Sequence, residues 1–537
     1  MKRSTYIWSL LVGCVAFATS CDLTEDVQVK ADKSMIFGSK SGLELYSNSF
    51  YKALPTLKNG FMQDKMCDVG AVSNTDTFIK RGAYNTETAT SWSWGALKNV
   101  NYFIDGCNDP KYCTVEAETR DNYLGIARWF RAWFYYDKLT TYGEVPWFPN
   151  DIQSYQNDVM YKDRDSRDVI IRNLIADLDF AYEHIQATSS TGSATLTRWA
   201  AAALKSRVCL FEAAYRRYHN LTGLEITPEE LYREAAKAAK LVIDNSGCSL
   251  NTAAGKKGAY RDLFYSETPL TQEVILAVCA NEKSGIFGEQ NWWFNARSYG
   301  LCWSLVRSFV HTYLKQDGTP FTAAADYAVK SFAEEMEGRD LRLEQTVRGR
   351  NFLWDGKTAV ADIKNLSLTG YQVIKYTLDE SKYDGGAKNI NSIPLIRYAE
   401  VLLNYAEAQA ELGVLTDSEW ALTVGALRKR AGITGGTETL PTTVDSYLQR
   451  TFYPDVTSPV LLEIRRERAI ELVAEGMRFD DLRRWKCGSL METLRWSGIH
   501  IPGLEQPVDV NGDGVNDYYF TEGEVVSAPA AYKNIAA

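Results

Sequence analysis

Two neighbouring segments decide the fold: RWAAAALKSRVCLFEAAYR at residues 198–216 and EELYREAAKAAKLVIDNSG at residues 229–247. Apolar residues of the first segment recur at steps of three and four, the spacing of one helix face: Ala201, Leu204, Val208, Phe211 and Tyr215. Small residues, namely Ala202, Ala235 and Ala239, allow two helix backbones to approach closely. The two segments therefore predict a tightly packed pair of helices.

Two further segments predict helices in different surroundings. Residues 123–139 are apolar on nearly every side, which predicts a helix inside a helical array that ends near Gly143 and Pro146. Residues 395–412 carry one apolar and one polar stripe, which predicts a one-sided helix with Gly413 at its C-terminal cap. Both helices require neighbours, so they support a helical scaffold.

The helical periodicity dissolves between about residue 245 and residue 392 into short apolar pieces separated by Gly, Asn and Asp clusters. We therefore predict one mainly α domain with few short strands. Its tetratricopeptide-like scaffold spans residues 40–245 and 393–486, its loop-rich region residues 246–392, and its C-terminal loop segment residues 487–537. Long loops on a rigid scaffold are where binding surfaces usually lie, so we expect the ligand in the loop-rich region.

Composition excludes one class of partner. The chain has 537 residues, a net charge of −9 and a pI near 5.3, and it shows no basic face that could neutralise nucleic-acid phosphates. Aromatic residues reach 12%, a surplus that leaves some for an exposed stacking surface. The ten cysteines match no zinc spacing; we favour free thiols for Cys209 and Cys279, and one or two disulfides stay an alternative if the chain is exported.

The N-terminus predicts export. Lys2 and Arg3 precede an apolar run at residues 6–17, which is too short to span a bilayer and has the length of a secretory signal core. The run leads to Cys21, and the small residues before it resemble a bacterial lipobox, in which the cysteine is acylated after residues 1–20 are removed. Ala18 stands where lipoboxes usually carry Leu, so ordinary signal peptidase cleavage before Cys21 is the alternative.

Catalytic signatures are absent from the sequence. The four histidines stand far apart, and no HExxH, G-x-S-x-G or P-loop motif occurs. We therefore predict that the chain is not an enzyme and carries no catalytic cofactor. A glycoside hydrolase stays an alternative, because its pair of carboxylates leaves no sequence signature.

The segment DVNGDGVND, residues 509–517, suggests a structural calcium site. Its oxygen donors have the spacing of an EF-hand-like loop, with Gly514 at the sharp turn: Asp509, Asn511, Asp513 and Asp517. Position 12 is Phe520, so the bidentate acidic ligand is missing. The alternative is a plain turn that joins two short strands, VDV and DYYF.

Aromatic clusters in polar, turn-rich surroundings predict a sugar-binding surface. Sugars stack their C–H faces on aromatic rings, while Asp, Asn and Arg side chains bond their hydroxyls. SWSWG contains Trp92, and NWWFNARSYGLCW contains the other aromatic candidates: Trp292, Trp293, Tyr299 and Trp303. We predict Asp68 and Arg348 as their polar partners.

Four blocks together resemble the SusD/RagB family. They follow in the family's order: RAWFYYDKLTTYGEVPW at 131–147, PLIRYAEVLLNYAEAQAELG at 394–413, ALRKRAG at 426–432 and RRERAIELVAEGMRFDDLRRW at 465–485. The charged residues of the last block have spacings for helix-surface ion pairs, and Arg478 to Arg484 could form a partly buried network. We therefore interpret these blocks as scaffold and expect the ligand residues elsewhere.

The resemblance implies an outer-membrane, cell-surface lipoprotein anchored through acylated Cys21. It implies a non-catalytic protein that captures oligosaccharides or polysaccharides and delivers them to a SusC-like TonB-dependent transporter. The RagB branch of the resemblance implies an alternative, the capture of peptides. The glycan and its linkage are not determined by the sequence.

Overall fold

The computed structural model describes residues 33–58, 64, 67–73, 85, 87, 91–295, 302–493, 495–522 and the backbone of 533–536. The expected signal segment and Cys21 lie outside these ranges. Helices predominate over strands, which confirms the prediction of a mainly α fold with few short strands. None of the helices in the described ranges is long and apolar enough to cross a membrane.

Helices α1–α8 precede the loop-rich region. Their bounds are Lys33–Phe37 (α1), Lys40–Ser47 (α2), Gly95–Asn108 (α3), Ala117–Tyr142 (α4), Asn157–Met160 (α5), Arg167–His184 (α6), Arg198–Tyr218 (α7) and Pro228–Asn245 (α8). Helix α4 has buried residues on several sides, such as Trp129 at 0% exposure, and it ends where Gly143 takes a φ of 76°. The predicted interior helix is thereby confirmed, with six further residues at its N-terminal side and three at its C-terminal side.

Helices α7 and α8 form the predicted close pair. Ala202, Ala235 and Ala239 are each at most 2% exposed, so small side chains fill the interface. A capping box starts α8: the Thr227 hydroxyl accepts the Glu230 N–H, and the Glu230 carboxylate accepts the Thr227 N–H. The sequence-local cap and the apolar stripe thus specify the same helix.

In its described residues, 246–295 and 302–392, the loop-rich region contains only short helices. Their bounds are Asp262–Tyr265 (α9), Gln290–Asn295 (α10), Arg307–Val310 (α11), Phe332–Met336 (α12) and Arg342–Thr346 (α13). Short 3₁₀ turns in this region occupy Glu282–Ser284, Phe321–Ala323, Tyr327–Val329 and Ser381–Tyr383, and two more, Asn48–Ala53 and Thr191–Ser193, lie in the N-terminal scaffold. The helical period is lost here because no element is long enough to show it.

The strands form small separate sheets. Their bounds are Gly70–Ala71 (β1), Val274–Val278 (β2), Ser304–Leu305 (β3), Leu353–Trp354 (β4), Lys357–Thr358 (β5), Ile393–Arg397 (β6), Pro507–Val508 (β7), Tyr518–Thr521 (β8) and Lys533–Ala536 (β9). The antiparallel pairs are β1–β3, β2–β6, β4–β5 and β7–β8, and β9 runs parallel to β8. Pairing of β2 with β6 joins the loop-rich region to the scaffold.

The C-terminal part of the scaffold consists of helices α14–α20. Their bounds are Tyr398–Glu411 (α14), Asp417–Leu422 (α15), Val424–Arg430 (α16), Ser446–Phe452 (α17), Pro459–Glu471 (α18), Arg478–Arg484 (α19) and Leu490–Thr493 (α20). The predicted helix over 395–412 begins later, because residues 393–397 pair as strand β6 with β2. Helix α14 packs against α8 and α18, and Gly413 follows its end with a φ of 73°.

A buried carboxylate, Glu471, joins these parts of the chain. Its oxygens lie 2.6 Å from Arg397 Nη1 and 2.7 Å from Arg342 Nη1, and Arg430 forms a further ion pair with it. Glu273 at the start of β2 also pairs with Arg397 and Arg430, each at 3.0 Å. Strand β6, helices α13, α16 and α18, and the edge of β2 therefore meet in one ionic cluster.

The charges of this cluster stabilise one another. Burial alone raises the pKa of Glu471, but the guanidinium groups of Arg430, Arg397 and Arg342 outweigh burial and hold the pKa well below its usual value. Burial lowers the pKa of neighbouring Lys375 to about 8, although Glu475 lies 2.7 Å away. The carboxylate is thus ionised inside the protein.

The expectation of surface ion pairs in the block 465–485 is corrected by the structure. Arg465, Glu467 and Glu471 are each at most 1% exposed, so these residues belong to the interior. Arg465 places its guanidinium 4.4 Å from the ring centroid of Trp485. Helix periodicity indicated that these charges share a helix but not that other elements cover them.

We predict that Glu471→Gln destabilises the fold by roughly 3–5 kcal/mol, because buried arginines lose the charge that compensates them. The measurement is the urea midpoint followed by circular dichroism. Asp244→Asn is the matched control, because it removes an ion pair at the surface: the side chain of Lys240 is 43% exposed and that of Asp244 is 46% exposed. We expect this pair to contribute roughly 0.3–0.5 kcal/mol. A midpoint shift for Glu471→Gln no larger than that of the control would contradict the prediction.

Candidate ligand-binding site

A polar cleft of about 530 Å³ opens between the loop-rich region and the C-terminal segment. Its polar side chains come from separate stretches of the chain: Asn295, Arg348, Thr358, Asp362, Asp384, Asn511, Asp513 and Asp517. Trp354 supplies an aromatic wall. Carboxylates, amides, one guanidinium and an indole are the groups that hold hydroxyl-rich ligands.

Arg348 is the predicted polar partner that lies in this cleft. Its Nε donates to the Ala359 carbonyl at 3.1 Å, and its Nη1 donates to Gln372 Oε1 at 3.3 Å. The guanidinium carbon lies 5.0 Å from the Phe352 ring and 5.8 Å from the Trp354 ring. Burial lowers the pKa of Arg348, but an arginine keeps its charge at neutral pH. The cation is therefore held in a fixed orientation at the cleft wall.

Asp384 connects the cleft to helix α10. Its Oδ1 accepts hydrogen bonds from Asn291 Nδ2 at 3.1 Å and from Asn295 Nδ2 at 3.2 Å. Burial raises the pKa of Asp384, partly offset by these two amides. The loop that contains Asp384 is thereby tied to the helix that contains the predicted tryptophan pair.

Trp292 and Trp293 lie together on α10. Their ring centroids are 5.5 Å apart, and both side chains are half-buried. The Trp292 ring packs on the turn after Asp384, since a Cβ at Gly386 would lie 3.5 Å from it. Trp293 Nε1 donates to Glu289 at 3.3 Å. The structure therefore joins this predicted pair to the cleft through Asn295 and Asp384.

Trp303 and Asp68 occupy the interior, which corrects their prediction as exposed ligand contacts. Trp303 is 4% exposed, packs on Phe294 and leaves no room for a side chain at Gly70. Asp68 is 3% exposed, and its two oxygens accept hydrogen bonds from Arg478 at 2.8 and 2.7 Å. A tryptophan in a core and a carboxylate in an ion pair leave no sequence signature that separates them from ligand residues.

Trp92 lies in a different aromatic group. It is 43% exposed, and its ring centroid is 5.2 Å from that of Trp94 and 4.8 Å from that of Tyr142 at the end of α4. Arg164 lies 5.6 Å from the same ring. Within the described ranges, no aromatic contact joins Trp92 to Trp292 or Trp293. Tyr299 lies outside the described residues.

The candidate calcium loop forms one wall of the cleft. Asp509 accepts the N–H groups of Gly512 and Gly514, each at 2.7 Å, and Asp517 Oδ2 accepts the Val510 N–H at 3.0 Å. Burial raises the pKa of Asp517, as do the nearby carboxylates of Asp513 and Asp509.

The loop at residues 509–517 has two interpretations, a calcium site and a plain turn between two strands. Strands β7 and β8 flank it as the plain-turn alternative expects, and Phe520 is 2% exposed within β8. Among the described residues no group of three or more His, Cys, Asp or Glu side chains is arranged to hold a metal ion. The calcium site stays a prediction.

Sequence reasoning missed Trp354, Asp362, Asp384 and Asn295. One local signal was available, because Asp355 and Gly356 have φ angles of 49° and 73° and connect β4 to β5 in a tight hairpin. An Asp-Gly pair between strand-like residues predicts such a turn, which presents Trp354 beside the cleft. Asp384 and Asn295 had no comparable signal, since they meet only through the fold.

A family model matches the part of the chain that contains the residues of the cleft. The model of the SusD family (SusD_RagB) matches residues 272–525. Over this range, 254 of the 537 residues, the chain is similar to the SusD/RagB family. The matched range includes the last three of the four sequence blocks, and no curated protein matches the chain.

Solved structures share the fold at low sequence identity. A SusD-like protein of Bacteroides fragilis aligns with 85% of this chain and 88% of its own, at a TM-score of 0.64 and 22% identity. A SusD-like carbohydrate binding protein of the same species aligns with 89% and 94%, at a TM-score of 0.68 and 19% identity. A further structure, with xylogluco-oligosaccharide, aligns with 82% of each chain, at a TM-score of 0.55 and 19% identity.

The calcium interpretation predicts that Ca²⁺ raises the melting temperature of the EDTA-treated protein by a few degrees, because a ligand of the folded state alone stabilises it. Differential scanning fluorimetry with Ca²⁺ and with Mg²⁺ measures the shift. Asp513→Asn should lose the response to Ca²⁺ while Asp326→Asn, in an exposed ion pair with Lys330, keeps it. Equal melting temperatures with and without Ca²⁺ would favour the plain turn.

Proposed function

We propose that this chain is a non-catalytic glycan-binding protein that captures oligosaccharides. The observation that carries the proposal is the connection of the polar cleft to the Trp292–Trp293 pair through Asp384 and Asn295. Relatives support the ligand class, since one is described as a carbohydrate binding protein and another was solved with xylogluco-oligosaccharide. The cleft and the tryptophans offer both kinds of contact that a sugar requires.

The chemistry of each group fits a part of a sugar ring. Indole faces of Trp292, Trp293 or Trp354 stack on the apolar C–H face of a pyranose. Asp384 accepts hydrogen bonds from sugar hydroxyls, whereas Arg348 donates to sugar oxygens. Because Asn291 and Asn295 already orient Asp384, little side-chain entropy is lost when a ligand binds.

The site is open and not deeply enclosed, so affinity for one short oligosaccharide should be modest. We propose that capture serves uptake: the chain delivers its ligand to a SusC-like TonB-dependent transporter in the outer membrane. In this proposal the protein faces the cell exterior and is anchored by acylated Cys21. Support comes from the family, which is a family of cell-surface proteins, and from the lipobox-like residues before Cys21.

We predict that Trp292→Ala and Arg348→Ala each weaken glycan binding by about tenfold or more, equivalent to ~1.4 kcal/mol, because each removes a central contact. Isothermal titration calorimetry with oligosaccharides selected on a glycan array measures the affinity. Trp496→Ala is the matched control, since Trp496 is 48% exposed and does not line the cleft.

Three outcomes would contradict this proposal in different ways. Unchanged glycan affinity in folded Trp292, Trp293 and Arg348 variants would mean that the site lies elsewhere. If Trp92→Ala then lowered the glycan affinity, the site would lie at the aromatic group of Trp92, Trp94 and Tyr142. Binding of peptides with failure of every glycan would favour the peptide-binding alternative. Reducing ends released in proportion to protein would favour a glycoside hydrolase.

We predict that Cys21→Ala protein leaves the outer-membrane fraction, because acyl chains contribute about 0.8 kcal/mol per buried methylene and the variant has none. Cell fractionation followed by immunoblotting measures the distribution. Cys209→Ala, which changes a fully buried thiol of α7, is the control for effects of cysteine loss alone. Membrane partition of Cys21→Ala at the unmodified level would contradict anchoring through an acylated Cys21.

A further inference from the structure

The polar cleft has an uneven balance of charges. Among the described residues that line it, four are aspartates and one is an arginine, Arg348. Asp362 and Asp384 come from the loop-rich region, and Asp513 and Asp517 come from the C-terminal segment. With all five groups ionised, the lining has a formal charge of −3. The excess of negative charge therefore arises only where the fold brings the two regions together.

Arg348 offsets only part of this charge. Its Nε and Nη1 donate to the neutral oxygens of Ala359 and Gln372, at 3.1 and 3.3 Å, and its guanidinium carbon lies 5.8 Å from the Trp354 ring. Lys357 of β5 is exposed and is not among the residues that line the cleft, so solvent screens its charge. A ligand in the cleft therefore meets one fixed cation and several carboxylates.

The carboxylates of the cleft repel one another. Burial raises the pKa of Asp517, and the charges of Asp513 and Asp509 raise it further. Burial also raises the pKa of Asp384, and the charge of Asp355 adds to the rise. A further negative charge placed among these groups would meet the same repulsion.

We propose that the cleft selects glycans by charge: it accepts uncharged or amine-bearing oligosaccharides and rejects those that carry carboxylate or sulfate groups. A recess lined by charges of one sign concentrates their field, because its protein walls screen less than water does. An anionic sugar would bring like charges together and lose its hydration, whereas an ammonium group would find several acceptor oxygens. The selection rests on the glycan binding proposed above and adds the class of glycan.

A glycan array tests the selection, with each neutral oligosaccharide printed beside the form whose primary hydroxyls have been oxidised to carboxylates. The purified protein is applied with EDTA present, because a calcium ion in the loop at residues 509–517 would offset two of the negative charges. Isothermal titration calorimetry then compares the two forms of the oligosaccharide that binds best. We expect the neutral form to bind about tenfold or more tightly than the oxidised form.

Variants that remove charge without changing shape assign the selection to the cleft. Asparagine keeps the size of aspartate and one acceptor oxygen, so Asp384→Asn combined with Asp513→Asn should narrow the difference between the two glycan forms about threefold or more. Asp244→Asn combined with Asp326→Asn is the matched control, since it removes the same number of charges from exposed ion pairs outside the cleft. Circular dichroism verifies that both double variants are folded.

The outcomes separate charge selection from glycan binding itself. Equal or tighter binding of the oxidised form would overturn charge selection and leave the proposed function intact, whereas binding of neither form would overturn both. A difference that the cleft variant does not narrow, or that the control narrows equally, would also overturn the selection by the cleft. If the cleft variant does not fold, salt decides: the difference should shrink between about 50 and about 500 mM NaCl, and a difference independent of salt would contradict a charge effect.

Discussion

The ionised carboxylate of Glu471 is the group on which the assembly of this fold depends. It lies at 0% exposure between Arg342, Arg397 and Arg430, which come from a short loop-region helix, a strand and a scaffold helix. A buried charge is costly unless it is paired and hydrogen-bonded, so the cluster requires all of these elements to be in place together. It thereby couples the scaffold to the loops that it carries.

This arrangement explains why the most recognisable sequence blocks are not where the ligand is expected. Three of those blocks contain Arg397, Arg430 and Glu471, and these side chains form ion pairs inside the protein. The cleft is lined instead by loop residues such as Arg348, Trp354 and Asp384, which are not members of the Glu471 cluster.

The parts of the fold that were predictable are those with local signals. The α7–α8 pair follows from an apolar period, small residues and a capping box, and α4 follows from its apolar length and a terminal glycine. Strand β6 was absorbed into the predicted helix that follows it, because its apolar residues continue the stripe and its partner β2 lies more than a hundred residues earlier. The sequence predicts part of the candidate site, namely Arg348, Trp292 and Trp293. It does not distinguish these residues from Trp303 and Asp68, which are buried in the protein interior.

The sequence by itself determined the helical class, the loop-rich region, the resemblance to a family and the candidate groups for lipid attachment and metal binding, because each is encoded by neighbours along the chain. Only the tertiary structure decided which charged and aromatic side chains stay accessible. Burial depends on what distant segments place over a residue: Asp68 is covered through Arg478, whereas Asp384 is oriented through Asn295 and left at the cleft. The two aspartates therefore differ in their surroundings, because contacts between distant segments bury Asp68 and leave Asp384 at the cleft. Such contacts leave no signal in the local sequence.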